Sequence, residues 1–276
     1  MDYSIYFVPT PIGNLEDMTL RSIRVLREVD LIACEDTRES AKLLNYLEIK
    51  KPLSSYHKFN EAKRSEELIE LAKEGKSIAI ITDQGMPGIS DPGHVLINKC
   101  IENHISYTIL PGASSLLTAL VGSGFDNEEF AYYGFIPKKS SDKKNLYKKL
   151  ENEDKTSIIL DTPHNLKNTI NDFKNLFPDR YLCLARELTK KFEEYRIEKI
   201  SDIDPEELTI KGEFVLILSK SEKKASLNLD DFKEKILDLK DEGHRTKEIV
   251  KIIRKEADFP KNDLYEYILS LDNSTN

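Results

Sequence analysis

Four short runs of β-branched and aliphatic residues, at 4–8, 30–34, 78–82 and 107–110, alternate in this chain with stretches whose apolar residues recur at helical spacing. The helical stretches are 18–29, 37–47, 62–74 and 94–103; Leu20, Ile23 and Leu26 mark one face of the first, and Leu68, Leu71 and Ala72 one face of the third. Asp17, and Asp91 with Pro92, supply helix start signals, with Pro92 placed for a first turn. Strand–helix alternation of this kind predicts an α/β fold with a mostly parallel sheet covered on both faces.

Gly122-Ser-Gly124 closes this half, and Gly134-Phe-Ile-Pro137 with the lysine-rich segment behind it reads as a crossover into a second domain. That domain is predicted as helix 139–151, strand 157–160, helix 163–177, strands 181–185 and 192–198, helix 205–208 and strand 213–218. Its character is more antiparallel, giving a mixed sheet. A polar stretch, 219–226, then leads to three short helices at 230–241, 247–256 and 262–271, broken by Gly243 and Pro260. The expected organisation is an N-terminal α/β domain (1–133), a C-terminal α/β domain (134–220) and a small helical extension (221–276). A length of 276 residues suits such a division.

The longest apolar runs, 78–81 and 214–218, are far below the roughly 18 residues of a membrane span. The N-terminus enters a strand-like run with no basic region and apolar core before it, so a cytoplasmic protein without membrane attachment is expected. Cys34, Cys100 and Cys183 lack metal-type spacing and read as reduced, buried thiols. The five histidines give no zinc motif, so no metal is expected. A net charge of −8 argues against broad, non-specific binding to nucleic acid, although local charge can oppose the average. Between Lys138 and Lys155 seven lysines face four acids; on charge alone this is first a solvated helix face.

In an open α/β sheet, ligands collect at the carboxyl ends of the strands. Four loops there are rich in glycine, proline and small polar residues: Pro9-Thr-Pro-Ile-Gly-Asn14, Glu35-Asp-Thr-Arg38, Asp83-Gln-Gly-Met-Pro-Gly-Ile-Ser-Asp-Pro-Gly93 and Pro111-Gly-Ala-Ser-Ser115. Glycine lets backbone approach a ligand and proline stiffens the loop, so four such loops at one edge predict a site. No GxGxxG follows the first strand and no GxxxxGK[ST] is present, which disfavours a dinucleotide dehydrogenase or a P-loop NTPase. No Gly-x-Ser-x-Gly elbow or Cys-His pairing marks a nucleophile. What remains is a site of backbone and carboxylates for a small polar ligand.

At these same loops the chain resembles the tetrapyrrole methylase superfamily, and within it a branch that methylates ribosomal RNA. The resemblance rests on Tyr6-Phe-Val-Pro-Thr-Pro-Ile-Gly-Asn-Leu-Glu-Asp17, Thr19, Arg21, Asp30-Leu-Ile-Ala-Cys-Glu-Asp-Thr-Arg38 and Ser55-Tyr-His-Lys-Phe-Asn-Glu61. It continues through 83–93, Leu110-Pro-Gly112, Gly134-Phe-Ile-Pro137, Ala185-Arg-Glu-Leu-Thr-Lys190, Lys211-Gly-Glu213 and the tail from Lys247 to Leu271, covering nearly the whole chain. Three departures stand out: Met86 where the family often has threonine, Ala113 where a second proline is common, and Leu160-Asp-Thr-Pro-His-Asn165 without the usual arginine.

The resemblance implies the two-domain class III methyltransferase fold, with S-adenosyl-L-methionine folded into the cleft between the domains. Carried over, the cofactor contacts are Pro11, Asp83, Gly85, Pro87, Ile89, Asp91, Pro111, Gly112, Ala113, Ser114 and Ser115, closed by Leu188, Thr189 and Gly212. The implied acceptor is the ribose 2'-hydroxyl of a cytidine in the decoding region of 16S rRNA within the small ribosomal subunit, and the implied assembly is a homodimer. A ribose hydroxyl is a poor nucleophile, so a base or a cation that stabilises the alkoxide should help. Glu35, Arg38 and Lys190 are the catalytic candidates, although Glu35-Asp-Thr-Arg38 also reads as a helix N-cap with an ion pair. Asn14, Arg21, His57, Lys138, Lys139, Lys143 and Lys144 are the candidates for RNA contact. A small-molecule tetrapyrrole methylase is the alternative, disfavoured because Pro9-Thr-Pro-Ile-Gly13 stands where those relatives open with a glycine-rich loop. A non-catalytic RNA-binding assembly factor is a third reading.

Overall fold

The computed structural model describes residues 2–221, 229–257 and 259–272, and the chain divides into two compact units, Met1–Lys220 and Ser221–Asn276. The first unit holds two five-stranded sheets. Strands β1 (Ile5–Phe7), β2 (Leu31–Cys34), β3 (Leu53–Ser55), β4 (Ile78–Ile81) and β5 (Tyr107–Ile109) form the first, in the order β3-β2-β4-β1-β5. Every pairing in it is parallel, so all five carboxyl ends lie along one edge.

Alternation along the strands builds a core on each face of this sheet. Ile5 and Phe7 of β1 and Ile78 and Ile80 of β4 point one way, joining Leu68, Ile69 and Leu96. Tyr6, Val8, Ala79 and Ile81 point the other way, joining Val25, Leu26 and Leu44. The covering helices are α1 (Leu20–Glu28), α2 (Thr37–Tyr46), α3 (Glu61–Lys73) and α4 (His94–Glu102). Helix α1 starts later than expected: its cap is Thr19, whose hydroxyl accepts from the Ser22 amide at 3.0 Å, and Asp17 closes a separate 3-10 turn. Helix α4 is capped by Gly93, which leaves Pro92 just outside the helix instead of in its first turn.

Helix α5 (Ser115–Ser123) leaves the first sheet and packs on the second, a crossover the sequence pattern did not mark. Its Ala119 and Leu120 share a core with Ile12 from the loop after β1. Gly122 sits so close to the Tyr195 ring that an added Cβ would lie 2.1 Å from a ring carbon. The second sheet comprises β6 (Phe130–Phe135), β7 (Thr156–Asp161), β8 (Tyr181–Arg186), β9 (Glu194–Lys199) and β10 (Phe214–Leu218), in the order β6-β7-β10-β8-β9. β6 and β7 run parallel and the remaining pairs antiparallel, a mixed sheet. Along β10, Phe214, Leu216 and Leu218 face α6 (Ser140–Glu151) and α7 (Pro163–Leu176), while Val215 and Ile217 face α5.

The helix expected at 205–208 is absent. Asp204 captures that segment instead, its carboxylate accepting from the Glu206 amide at 2.9 Å and its carbonyl from the Glu207 amide at 3.2 Å. Such local capture by an aspartate competes directly with a helical turn. The second unit contains α8 (Lys233–Asp241), α9 (Thr246–Glu256) and α10 (Lys261–Asp272), packed through Ile236, Ile249, Val250, Ile253, Leu264 and Ile268. Of the polar stretch expected at 219–226, residues 222–226 lie outside the described residues. Among the described residues no helix is long and apolar enough to cross a membrane.

Candidate functional site

A cleft of about 280 Å³ opens between the carboxyl edge of the first sheet and the second sheet. One wall comes from Ile12, the loop after β4 (Gln84, Gly85, Met86, Ile89, Ser90, Asp91) and the start of α5 (Ser114, Ser115, Leu116). The other comes from the end of β7 and the start of α7 (Leu160 to Pro163), with Phe135, Ala185, Leu188, Gly212, Glu213, Phe214 and Val215. Thus Gly85, Ile89, Asp91, Ser114, Ser115, Leu188 and Gly212, singled out in the sequence, meet in one cleft.

The other seven cofactor candidates stand behind or beside this lining. Pro11 and Pro87 are buried, while Pro111 and Gly112 are exposed. Gly112 lies against Pro9, where an added Cβ would be 2.7 Å from the Pro9 Cβ. Ala113 is half-buried and joins the core under α5. Asp83 is exposed, and its carboxylate accepts from the Asp36 amide at 3.2 Å. Thr189 belongs to the turn between β8 and β9.

That turn locks the two sheets together. Asn14 donates its amide to Thr189 Oγ1 at 3.0 Å. Gly13 lies beneath the Lys190 stem, so a Cβ there would come within 2.4 Å of Lys190 Cγ. Glu187 and Thr189 both hold positive φ, at 49° and 63°. For a β-branched residue that is a strained conformation of the sort proteins keep where surrounding contacts impose it. On the other side, Thr10 and Gly85 exchange backbone hydrogen bonds at 3.0 and 3.1 Å, fastening the loop after β4 to the loop after β1. Ser90 is hydrogen-bonded to the Tyr132 hydroxyl, tying the far end of the same loop to the second sheet.

None of the three catalytic candidates lines the cleft itself. The Lys190 ammonium is held between Glu187 (3.0 Å) and Glu213 (3.2 Å), and Glu213 also accepts from Gln84 at 2.8 Å. Burial pulls the lysine pKa down, but those carboxylates outweigh it and the net shift is upward. Lys190 is therefore a firmly charged strut. Arg38 is exposed and closes its fork on Asp36 at 3.1 and 2.7 Å, while the Asp36 carboxylate also caps α2. The arginine's hydrogen bonds hold Asp36 far below the usual carboxylate range.

Glu35 differs from both. It is half-buried at the end of β2, and burial raises its carboxyl pKa, with Asp91 and Asp83 adding to the shift and His57 opposing it. Asp91 and Asp83 are themselves raised, in each case chiefly by burial. Three acids thus approach the cleft edge with few cations near them.

Of the RNA candidates, Asn14 caps the 3-10 turn after it through its side chain, and Arg21 is exposed on α1. His57 is half-buried, and its Nδ1 has no hydrogen-bond partner among the described residues. Lys138, Lys139 and Lys144 are exposed, with Lys139 3.9 Å from Asp142. Lys143 is spoken for: its ammonium is 2.6 Å from Asp172 and lies over the Tyr147 ring.

The residues that sequence reasoning missed are mostly in the second sheet. Leu160, Ala185 and Val215 are ordinary strand positions that become cleft wall only by packing. Buried Asp161, saturated by the Thr162 amide (2.8 Å), Asn165 (3.0 Å) and Thr169 (2.6 Å), organises the start of α7. Its one sequence signal was the Asp-Thr-Pro step at a strand-to-helix junction.

With the two sheets and the cleft in view, comparison with known proteins defines the class. The model of the tetrapyrrole (corrin/porphyrin) methylases matches residues 4–204, and the chain belongs to that family of S-adenosylmethionine-dependent methyltransferases. Among curated proteins it is similar to the ribosomal RNA small subunit methyltransferase I of Halalkalibacterium halodurans, 38% identical over 272 residues, covering 95% of this chain and 93% of that one. Among solved structures, a diphthine synthase shares the fold at a TM-score of 0.65 and 16% identity, covering 79% of this chain and 90% of that one. A uroporphyrin-III C-methyltransferase from Thermus thermophilus, complexed with S-adenyl homocysteine, does so at 0.56 and 16%, covering 78% and 96%.

Proposed function

We propose that this methyltransferase transfers a methyl group from S-adenosylmethionine to a ribose 2'-hydroxyl of a cytidine in the decoding region of 16S rRNA within the small ribosomal subunit. Near full-length relatedness to proteins named for small-subunit rRNA methylation carries the reading. The loop at Pro9-Thr-Pro-Ile-Gly13, with no Gly-x-Gly-Pro-Gly, supports it over a tetrapyrrole substrate.

The lining of the cleft suits the cofactor. Ile12, Leu188, Ala185 and Val215 offer apolar surface to a purine, and the N-terminus of α5 at Ser114 and Ser115 offers partial positive charge to a carboxylate. Asp91 is a partly buried acid whose shift would be reversed by a cation beside it. When bound, S-adenosylmethionine supplies an electrophilic methyl group. The chain's own task is then to align the acceptor and exclude water, which the turn at Glu187–Lys190 and the loop after β4 accomplish by closing both sides of the cleft. Glu35 is the group to accept the hydroxyl proton: its raised pKa brings it nearer to neutrality than an ordinary carboxylate.

Exposed Lys138, Lys139 and Lys144 are the groups to meet phosphate in this reading, together with exposed Asn14 and Arg21. A homodimer in the cytoplasm completes the proposal; Leu117 and Val121 remain 53% and 70% exposed on α5, apolar surface that a second copy would cover. The test is tritium transfer from S-adenosylmethionine to 30S subunits that lack the modification, mapped by 2'-O-methyl-sensitive primer extension. Incorporation at one cytidine is expected. Transfer to a precorrin with none to any rRNA would overturn the assignment.

A further inference from the structure

Phe59 is 97% exposed, the most exposed large hydrophobic side chain among the described residues. An aromatic ring of this size left in water forgoes the gain of burying a large apolar surface, so its presentation calls for a reason. The backbone around it is well fixed. The Asn60 amide donates to the His57 carbonyl at 2.9 Å, which makes Lys58 and Phe59 the central residues of a tight turn. The Asn60 side chain accepts from the His57 amide at 2.8 Å and donates to the Ser55 carbonyl at 3.3 Å. Beneath the turn, Tyr56 is 1% exposed and gives its amide to the Cys34 carbonyl at 2.7 Å. The His57 ring meets Phe59 edge-on, with centroids 6.1 Å apart.

This turn follows β3, and β3 pairs in register with β2, Cys34 opposite Ser55. The ring therefore stands on the turn that follows the strand beside β2, and Glu35 is the residue after β2. Glu61, one residue past the turn, accepts from the Tyr56 hydroxyl at 3.1 Å and from the Gly93 amide at 2.8 Å, which ties the turn to the loop lining the cleft. Lys58, exposed at the tip, makes no ion pair among the described residues. An exposed lysine next in sequence to an exposed aromatic ring, on a hydrogen-bonded turn, matches the pairing of phosphate contact and base stacking by which proteins hold unstacked nucleotides.

We propose that Phe59 is a stacking platform for an unpaired nucleobase of the RNA substrate, with Lys58 on the adjoining phosphate. The inference rests on the RNA-methylating reading above and adds a specificity-determining residue to it.

The chain has no tryptophan, so Phe59→Trp introduces a single fluorescent reporter at the platform. In the full-length protein, its emission should be quenched by oligocytidylate and little changed by the same ribose-phosphate chain with abasic sugars. Phe59→Ala should raise the KM for 30S subunits about 5- to 100-fold, the range found when an aromatic partner of a base is truncated. Its kcat and its affinity for S-adenosylmethionine should stay near wild type, and Phe59→Tyr should restore the KM. Wild-type transfer to 30S subunits with an unchanged KM in Phe59→Ala, or equal quenching by both oligonucleotides, would overturn the platform alone. A changed sedimentation coefficient in Phe59→Ala with normal KM would instead make the ring a protein contact. Absence of wild-type transfer to any rRNA would remove the RNA reading and the platform together.

Discussion

The Glu187 carboxylate fills the space that a side chain on Gly212 would need: a Cβ there would lie 2.5 Å from both Glu187 Cγ and Oε1. Gly212 also holds φ +96°, a conformation that side chains resist. The same Glu187 oxygen accepts from the Glu213 amide at 3.1 Å and from Lys190 at 3.0 Å, so one carboxylate joins the cleft wall to the turn above it. Gly212→Ala should therefore displace Glu187, free Lys190 and lower stability by about 1–3 kcal/mol. Denaturant unfolding measures the loss, and S-adenosylmethionine affinity should fall with it.

Asp91 lines the cleft and Asp83 does not. Asp91→Asn should weaken S-adenosylmethionine binding about ten-fold or more, as loss of a charged hydrogen bond does, while Asp83→Asn should have a smaller effect. Because burial raises the Asp91 pKa, wild-type affinity should also decline as pH falls through that raised value. In Asp91→Asn this part of the decline should vanish. Calorimetry of both variants across pH separates the two acids.

Glu35 gives a stability prediction with a definite sign. Its folded pKa is raised above the unfolded value, so its contribution is most favourable below the unfolded pKa and is lost as pH rises through the folded one. Glu35→Gln should therefore raise the Tm at pH 8, and the gain should disappear near pH 4, by differential scanning calorimetry. Methyl transfer in this variant should drop at every pH if Glu35 takes the hydroxyl proton. An active variant with an unchanged pH profile would assign the proton elsewhere.

Neighbouring lysines on α6 should part company. Lys143→Glu puts a carboxylate against Asp172, 2.6 Å from the present ammonium, and removes the cation over Tyr147, at a cost of about 1 kcal/mol. Lys144 is exposed, and Lys144→Glu should leave stability within about 0.5 kcal/mol. It should nevertheless weaken RNA binding and reduce the salt slope by about one. Equal loss of RNA affinity with unchanged stability in both would contradict this division.

Gly122→Ala tests the crossover. The added Cβ would collide with the Tyr195 ring at 2.1 Å, and overpacking of this kind costs about 1–3 kcal/mol. Tyr195→Phe should not relieve it, whereas Tyr195→Ala in the same chain should recover part of the loss.

The parallel sheet was legible because its strands are continuous aliphatic runs set off by glycine and proline, and so was half the cleft, whose loops carry those residues. Strand β3 escaped because Leu53-Ser-Ser55 is three half-buried residues at the sheet edge, too short for any period. Strand β6 escaped as well: its end at Gly134 and Phe135 read as a crossover, and its register with β7 shifts between Tyr132 and Phe135. Helix α5 is apolar on several sides, burying Ala119 and Leu120 while exposing Leu117 and Val121, so it offers no clean amphipathic signal. The protonation landscape around Glu35 was invisible, since it depends on Asp83 and Asp91 from the loop after β4 and His57 from the turn after β3 converging on it.

The position of β1 governs how the chain can be made. It leaves the ribosome before the other strands of its sheet, yet its partners are β4 and β5, with Ile5 opposite Ile78 on one side and Tyr107 on the other. Until Ile109 has been synthesised, β1 has one neighbour at most and its other edge is unpaired. Non-local parallel pairing of this kind folds slowly and leaves strand edges open during synthesis. The first sheet can therefore close only after β5 has emerged, and slow codons beyond β5 would lengthen the interval in which it does so.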